Sequence, residues 1–388
     1  MPEPESARLP TVQPALGGPA LLIQIRFTDF PNQSLLETSM QKFKRQFLGA
    51  AVAAIAAVAF SGQAFAQIKE HTFKFAMQNT AGSAQYDAAV KLSEIVKARS
   101  GGKIKINVFG GGQLGKDTAV VSAMQGGTMD MCVMNSSLLA GVVKEMAVLD
   151  FPFVFANEKE AYAVVDGPFG KKLHALLEGK GLVGLSYWEL GFRHFHNSKR
   201  PIAKLEDLQG LKIRVIETPI YVDFMKAMGA NPVPLPYPEL YGALEQGAID
   251  GGTQPVINMT SAKLYEVQKY FSLTGHMYNP QSVIFSKKVW ETLSTDEKKL
   301  LQESIDEARE YQRQISRERN AAGVAELKAK GMQINELPAA ELAKMKQKAQ
   351  PVVDKYTAQI GEPLVKEMYA EVEKARAAAA APAAAKKK

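Results

Sequence analysis

Short alternating segments followed by helical ones recur twice along this chain, and that rhythm restricts it to a mainly parallel sheet with helices packed on it. Residues 72–77 alternate like a strand. Residues 83–99 place Tyr86, Ala89, Val90, Leu92, Ile95 and Val96 at helical spacing and stop at Ser100-Gly101-Gly102. Residues 103–109 alternate again, 118–124 predict a helix ended by Gly126 and Gly127, and 130–134 an apolar strand. A further strand, 182–188, leads towards Arg193. The order then returns: strand 212–215, helix 221–228 stopped by Gly229, strand 232–235, a short helix from Pro238 to Gln246 ended by Gly247, and a late strand 283–286. Two such sets in 388 residues predict two lobes. Ser294 with Glu297 three residues on is a capping box. It opens a helix expected to reach Lys330, about 54 Å at about 1.5 Å per residue, long enough to brace both lobes. Gly323 offers a kink or break within it.

Ahead of this pattern, Met40 starts a different one. Lys42, Lys44 and Arg45 form a basic stretch, residues 48–60 are apolar, and Ala64-Phe65-Ala66 gives a small-x-small cleavage signal. Thirteen apolar residues fall short of the roughly 20 that a membrane-spanning helix needs. The segment 40–66 therefore reads as a secretory signal, with Met40 as the true start, residues 1–39 an untranslated or disordered extension, and a mature chain beginning near Gln67. No cysteine follows the cleavage site to carry a lipid. The Ala/Pro/Lys sequence from Ala377 to Lys388 reads as a disordered tail.

The net charge of +7 is diffuse, without the basic stripe that nucleic-acid binding requires. The one cysteine, Cys132, excludes an intrachain disulfide and a four-cysteine zinc site. His194 and His196 lack neighbouring cysteine or carboxylate partners, so no metal is expected. Gly110-Gly111-Gly112 lacks the lysine and hydroxyl residue of a phosphate-binding loop and reads as a tight turn. Neither a Gly-x-Ser-x-Gly nor a His-Glu-x-x-His string is present, and no catalytic residue or cofactor is expected.

Arg214 is the residue that asks for an explanation. It lies on the alternating strand 212–215, facing away from Ile213 and Val215. A guanidinium in apolar surroundings is costly to leave unpaired. Either an internal acid such as Glu217 or Asp250, or an incoming anion, must satisfy it, and its planar fork suits a carboxylate. Arg193 is a second candidate, although His194, His196 and Lys199 around it read as a solvated loop. Tyr237 and Trp188 are candidate aromatic covers, with a core or interface role as the alternative.

Gly112-Gln113-Leu114-Gly115, the stretch 149–153, Trp188 with Gly191-Phe192-Arg193, residues 197–202, 207–215, 229–232 and 239–251 together resemble the solute-binding receptors of tripartite ATP-independent periplasmic (TRAP) transporters, in the branch that includes C4-dicarboxylate receptors. The resemblance covers about residues 72–370. It implies an α/β, two-lobed periplasmic-binding-protein fold (type II-like) with a lobe-spanning helix and a ligand cleft between lobes. Lobe I would take 67–191 plus about 280–320, and lobe II 192–279 plus about 332–372. It further implies a non-catalytic receptor for a small organic acid, located in the periplasm, that hands its ligand to the small and large subunits of a membrane permease. By position, Arg214 matches the family's carboxylate clamp, Arg193 a less uniform polar contact and Tyr237 an aromatic cover. Gln254 stands where asparagine is usual, in Gly251-Gly252-Thr253-Gln254-Pro255 rather than the commoner Gly-Gln-Glu-Asn-Pro. Gln78 and Asn135 match positions that face the ligand, and Lys116 and Asp117 fall near the cleft. The alternative function is an exported sensor that presents an organic acid to a membrane kinase. C4-dicarboxylates, sugar acids, 2-oxo acids and aromatic acids would all satisfy one arginine clamp.

Overall fold

The structure is a computed structural model that describes residues 68–380; the expected extension (1–39), the export signal (40–66) and residues 381–388 lie outside the described residues. The first set is β1 (His71–Ala76), α1 (Ala84–Arg99), β2 (Ile104–Phe109), α2 (Asp117–Gly126) and β3 (Met131–Asn135). Ser83 caps α1 by accepting the Tyr86 N–H, and Gly127 closes α2 in the left-handed conformation that favours glycine. Helices α3 (Glu158–Asp166) and α4 (Pro168–Glu178) lead into β4 (Leu182–Asn197). The second set is β5 (Lys212–Val215), α5 (Pro219–Ala227), β6 (Asn231–Pro234), α6 (Leu240–Glu245), β7 (Gly251–Gln254) and α7 (Val256–Ser261). The chain then runs through β8 (Tyr270–Ser286), α8 (Lys287–Trp290), α9 (Thr295–Ala329), β9 (Gln333–Glu336), α10 (Ala339–Ile360) and α11 (Glu362–Ala380).

The strands lie in the order β2-β1-β3-β8-β4-β7-β5-β6, with β9 beside β8. Within each set the pairing is parallel, as the strand–helix rhythm predicts. Between the sets run β4 and β8, antiparallel partners of 16 and 17 residues. Residues 182–188 of β4 pair with 281–286 of β8 beside β3, while 195–197 pair with 270–272 beside β7. The two parallel sets are thus joined by one long antiparallel ladder within a single nine-stranded sheet, which gives the two-lobed α/β architecture.

Three expectations are corrected here. The strand expected to end at Trp188 continues to Asn197, so Arg193 stands in a strand and is 1% exposed, not in a solvated loop. The late strand begins at Tyr270 rather than Val283. Neither extension alternates cleanly, because both faces are covered and register shifts interrupt β4 between Gly184 and Ser186, Glu189 and Gly191, and Arg193 and Phe195. The middle irregularity is held by α9: Gln312 Oε1 accepts the Glu189 N–H at 2.8 Å and Gln312 Nε2 donates to the Glu189 carbonyl at 2.7 Å.

Helix α9 runs unbroken for 35 residues from its capping box, without the kink or break that Gly323 offered. A Cβ on Gly323 would lie 2.6 Å from Val256 Cγ1, so the glycine lets α7 lie directly against α9. Gly323→Ala is expected to destabilise the protein, since overpacking costs about 1–3 kcal/mol and better helix propensity returns only about 1. Urea unfolding measures this; a more stable variant would mean that α7 does not pack so closely.

The C-terminal segment also departs from expectation. Helix α10 packs on α5 of the second set, but α11 returns to α3 and α4, burying Val365, Met368 and Val372 with the first. It continues to Ala380, four residues into the expected disordered tail, because consecutive alanines favour helix.

Buried histidines set the acid response. Burial holds His174 down to about 3 and His194 and His196 down to about 4, and keeps His276 well below its ordinary value. Below about pH 6.5 the unfolded chain protonates these rings while the fold does not, so stability is lost as pH falls. Asp117 and Asp150, raised by burial to about 6 and about 7, work in the opposite direction but are fewer. The melting temperature is therefore expected to drop between pH 6.5 and 5; a rise would contradict this environment for the histidines.

Candidate ligand-binding site

Open α/β sheets receive ligands beyond the carboxyl ends of their parallel strands. Here two such edges meet at one cavity. The first set contributes Gln78 just past β1, Asp117 at the start of α2 and Asn135 at the end of β3. The second contributes Arg214 from β5, Tyr237 after β6 and Gln254 at the end of β7. Leu190 and Arg193 of β4 and Gln281 of β8 line it where the long strands cross.

The two arginines differ in kind. Arg193 is held on three sides: Nε donates to Thr253 Oγ1 at 2.8 Å, Nη1 to Asn279 Oδ1 at 2.8 Å, and Nη2 to the Thr253 carbonyl. Its face lies over the Tyr221 ring, 5.6 Å from the centroid. Asn279 in turn donates to Asp150 Oδ1 at 2.7 Å, so a buried carboxyl stands behind Arg193 through one amide. Burial raises Asp150 towards 7, while Ser137, Arg193, Tyr221 and Asn279 favour its charged form.

Arg214 is 3% exposed, yet its one hydrogen bond among the described residues runs from Nε to the Leu235 carbonyl at 2.7 Å. Glu217 lines the same cavity without an ion pair to it, and Asp250 bonds the Lys212 N–H and Lys199 instead. Among the described residues neither terminal nitrogen has a protein acceptor. Burial, then the nearby Arg193, lower its pKa to about 10, which leaves it charged at neutral pH. A desolvated fork with open donors is the arrangement that takes a carboxylate by two parallel hydrogen bonds.

The amides around it are also half used. Gln78 Nε2 donates to the Gly115 carbonyl at 3.0 Å, leaving buried Oε1 unpartnered. Asn135 Oδ1 accepts from the Ser137 N–H at 3.2 Å, leaving Nδ2 unpartnered. Gln254 Oε1 accepts from Asn258 Nδ2 at 3.0 Å, and Gln254 Nε2 and Asn258 Oδ1 are without partners. Six of the seven residues expected at the site thus meet at one cavity. Trp188 does not. It is 0% exposed, edge-on to Phe75 at 5.9 Å, in the core between β4 and α9. Asn258 and Gln281 carried no signal in their own neighbourhoods, because only the folded ladder and the β7–α7 turn bring them to the cavity.

The family profile DctP, bacterial extracellular solute-binding protein, family 7, matches residues 75–359. The chain belongs to this family. It is 37% identical to the 2,3-diketo-L-gulonate-binding periplasmic protein YiaO of Escherichia coli over 263 residues, 68% of this chain and 80% of that protein. Among solved structures, a TRAP periplasmic solute-binding protein of Ochrobactrum anthropi is 47% identical with a TM-score of 0.73, covering 80% of this chain and 98% of that one; its own description places a C-terminus in the ligand-binding pocket. A sugar acid binding protein of Advenella mimigardefordensis, in complex with galactonate, is 36% identical with a TM-score of 0.78, covering 80% of this chain and 100% of that one. The TRAP-receptor resemblance and the two-lobed fold it implied are thereby shown for this chain.

Proposed function

We propose that this chain is a periplasmic receptor that takes a small organic acid between its lobes and hands it to the small and large subunits of a TRAP permease. The observation that carries this reading is Arg214, buried, charged and without an acid of its own beside open space. The expected export signal at residues 40–66 supports the location. A galactonate complex in one relative and a diketogulonate-binding name in another support the ligand class. The family the chain belongs to consists of solute-binding proteins, and the arginine and amides of the cavity bind and orient a carboxylate, so capture is the role.

Residues 68–191 with 280–320 form one lobe, residues 192–279 with 332–360 the other, and the bend lies at the irregular stretch of β4 from Glu189 to Phe195. A ligand touching Arg214 on one side and Asn135 on the other favours the closed state by its differential contacts. The Lys116–Glu239 ion pair, 2.9 Å long, also joins the two sides, but it is exposed and contributes at most about 1 kcal/mol.

A thermal-shift screen of the mature chain with D-galactonate, D-erythronate and succinate tests this. An acid present at 100 times its dissociation constant adds about 2.7 kcal/mol and raises the melting temperature. No shift with any of them, and no heat of binding by calorimetry, would count against the receptor reading.

A further inference from the structure

Among the described residues, four charged side chains line the cavity: Arg193, Arg214, Asp117 and Glu217. Arg193 has a counter-charge behind it, since Asn279 joins it to the carboxyl of Asp150. Arg214 is therefore the one cation set against two carboxyls, and an ionised acid on its fork makes three. Lys116 does not offset the excess, because it is exposed at the rim and paired with Glu239 at 2.9 Å. Glu217 is exposed, so water screens its charge. Asp117, half-buried in the first turn of α2, is the carboxyl drawn into the cavity. Every element packed against it contributes. The Gln78 amide just past β1 donates to it, Arg214 of β5 attracts its charge, Glu217 beyond β5 repels it, and the buried thiol of Cys132 on β3 stays neutral. Burial lifts the Asp117 pKa to about 6 against the pull of Gln78 and Arg214.

We propose that capture of the acid is coupled to protonation of Asp117, so that one proton enters with each carboxylate and leaves on release. This rests on the carboxylate-clamp reading of Arg214 and adds how the site balances the charge it takes in. Once the ligand occupies the Arg214 fork, that cation no longer offsets the Asp117 charge, and the ligand brings a further anion into the same cavity. Both changes favour the neutral carboxyl. The proton passes from hydronium or a buffer acid to a carboxylate oxygen of Asp117, while the ligand stays ionised and Arg214 stays protonated. Between the free value of about 6 and the higher bound value, the complex holds more protons than the free protein. Affinity therefore rises as pH falls through that window and levels off below about pH 6. Asp150, raised by burial to about 7, titrates in the same range from behind Asn279, and a variant of Asp117 separates the two.

Titration calorimetry of the mature chain with D-galactonate and D-erythronate, between about pH 8.5 and 5.5, tests the coupling; both acids stay ionised throughout. Affinity is expected to rise at least about tenfold from pH 8.5 to 6, the equivalent of one pKa unit of interaction, and to flatten below. At pH 7.5 the heats in phosphate and in Tris are expected to differ in the sense of proton uptake. Asp117→Asn keeps an oxygen for the Gln78 amide but carries no charge. It is expected to bind about tenfold more tightly than the wild type at pH 8.5, without pH dependence and with the same heat in both buffers. Asp117→Ser carries the same test where Asp117→Asn fails to fold. A wild type that responds to neither pH nor buffer, or an Asp117→Asn that keeps the full response, would overturn the coupling and leave the clamp standing. An affinity that follows sodium against potassium instead of pH would do the same, since a bound cation would then balance the charge. Absence of binding by both acids at every pH would overturn the clamp itself, and the coupling with it.

Discussion

Replacing Arg214 by alanine is expected to weaken acid binding at least about a hundredfold while leaving the fold nearly as stable as before. A hydrogen bond to a charged group is worth about 1.5–3 kcal/mol, and the two open nitrogens supply two of them to one carboxylate. Losing both removes more than about 2.7 kcal/mol, the equivalent of two powers of ten. The fold itself loses only the bond from Nε to the Leu235 carbonyl, about 1 kcal/mol, and is relieved of a buried cation without an anion. Arg214→Lys should restore little, because an ammonium is a point charge where a planar fork is needed. Calorimetry with the acid that stabilises the wild type gives the first number and urea unfolding the second. Unchanged affinity in Arg214→Ala would end the clamp.

Arg193→Ala is expected to do the opposite, destabilising the protein by about 3–5 kcal/mol because a buried charge partner is removed from a network that stays behind. Asn279 Oδ1, Thr253 Oγ1 and the Thr253 carbonyl would lose their donor together, and the carboxyl of Asp150 would lose the cation it faces through Asn279. The network also spans β4, β7 and β8, so its loss loosens the ladder shared by both lobes. A fall in the urea midpoint without change in its slope is the expected signature. Wild-type stability with abolished binding would instead make Arg193 a ligand contact of the same kind as Arg214.

Helices α1, α2, α5, α6 and α9 and strands β1, β2, β3, β5 and β6 were legible because their signals are local. Ser83, Gly127, Ser294 and Glu297 each act within one turn of chain, and the structure places their helix ends within a residue or two of the expected positions. Strands β4 and β8 were not, since what extends them is their pairing with each other across about 90 residues of sequence, and no alternation marks a strand covered on both faces. The polar stretch from Arg193 to Asn197 looked solvated for that reason. Of the residues that line the cavity, Arg214, Gln254 and Tyr237 could be named from sequence because they fall beside strand ends and turns in a recognisable run. Trp188 was misplaced because an aromatic near a cleft motif and an aromatic in the core look alike in sequence, and only the contact with Phe75 separates them. The bond from the Gln78 amide to the Gly115 carbonyl was invisible until the fold brought the two together.

A crystal structure of the mature chain grown with D-galactonate tests the central claim most directly. The account predicts the ligand carboxylate on both terminal nitrogens of Arg214, at about 2.7–2.9 Å. A carboxylate seated elsewhere, with Arg214 turned onto Glu217, would contradict it.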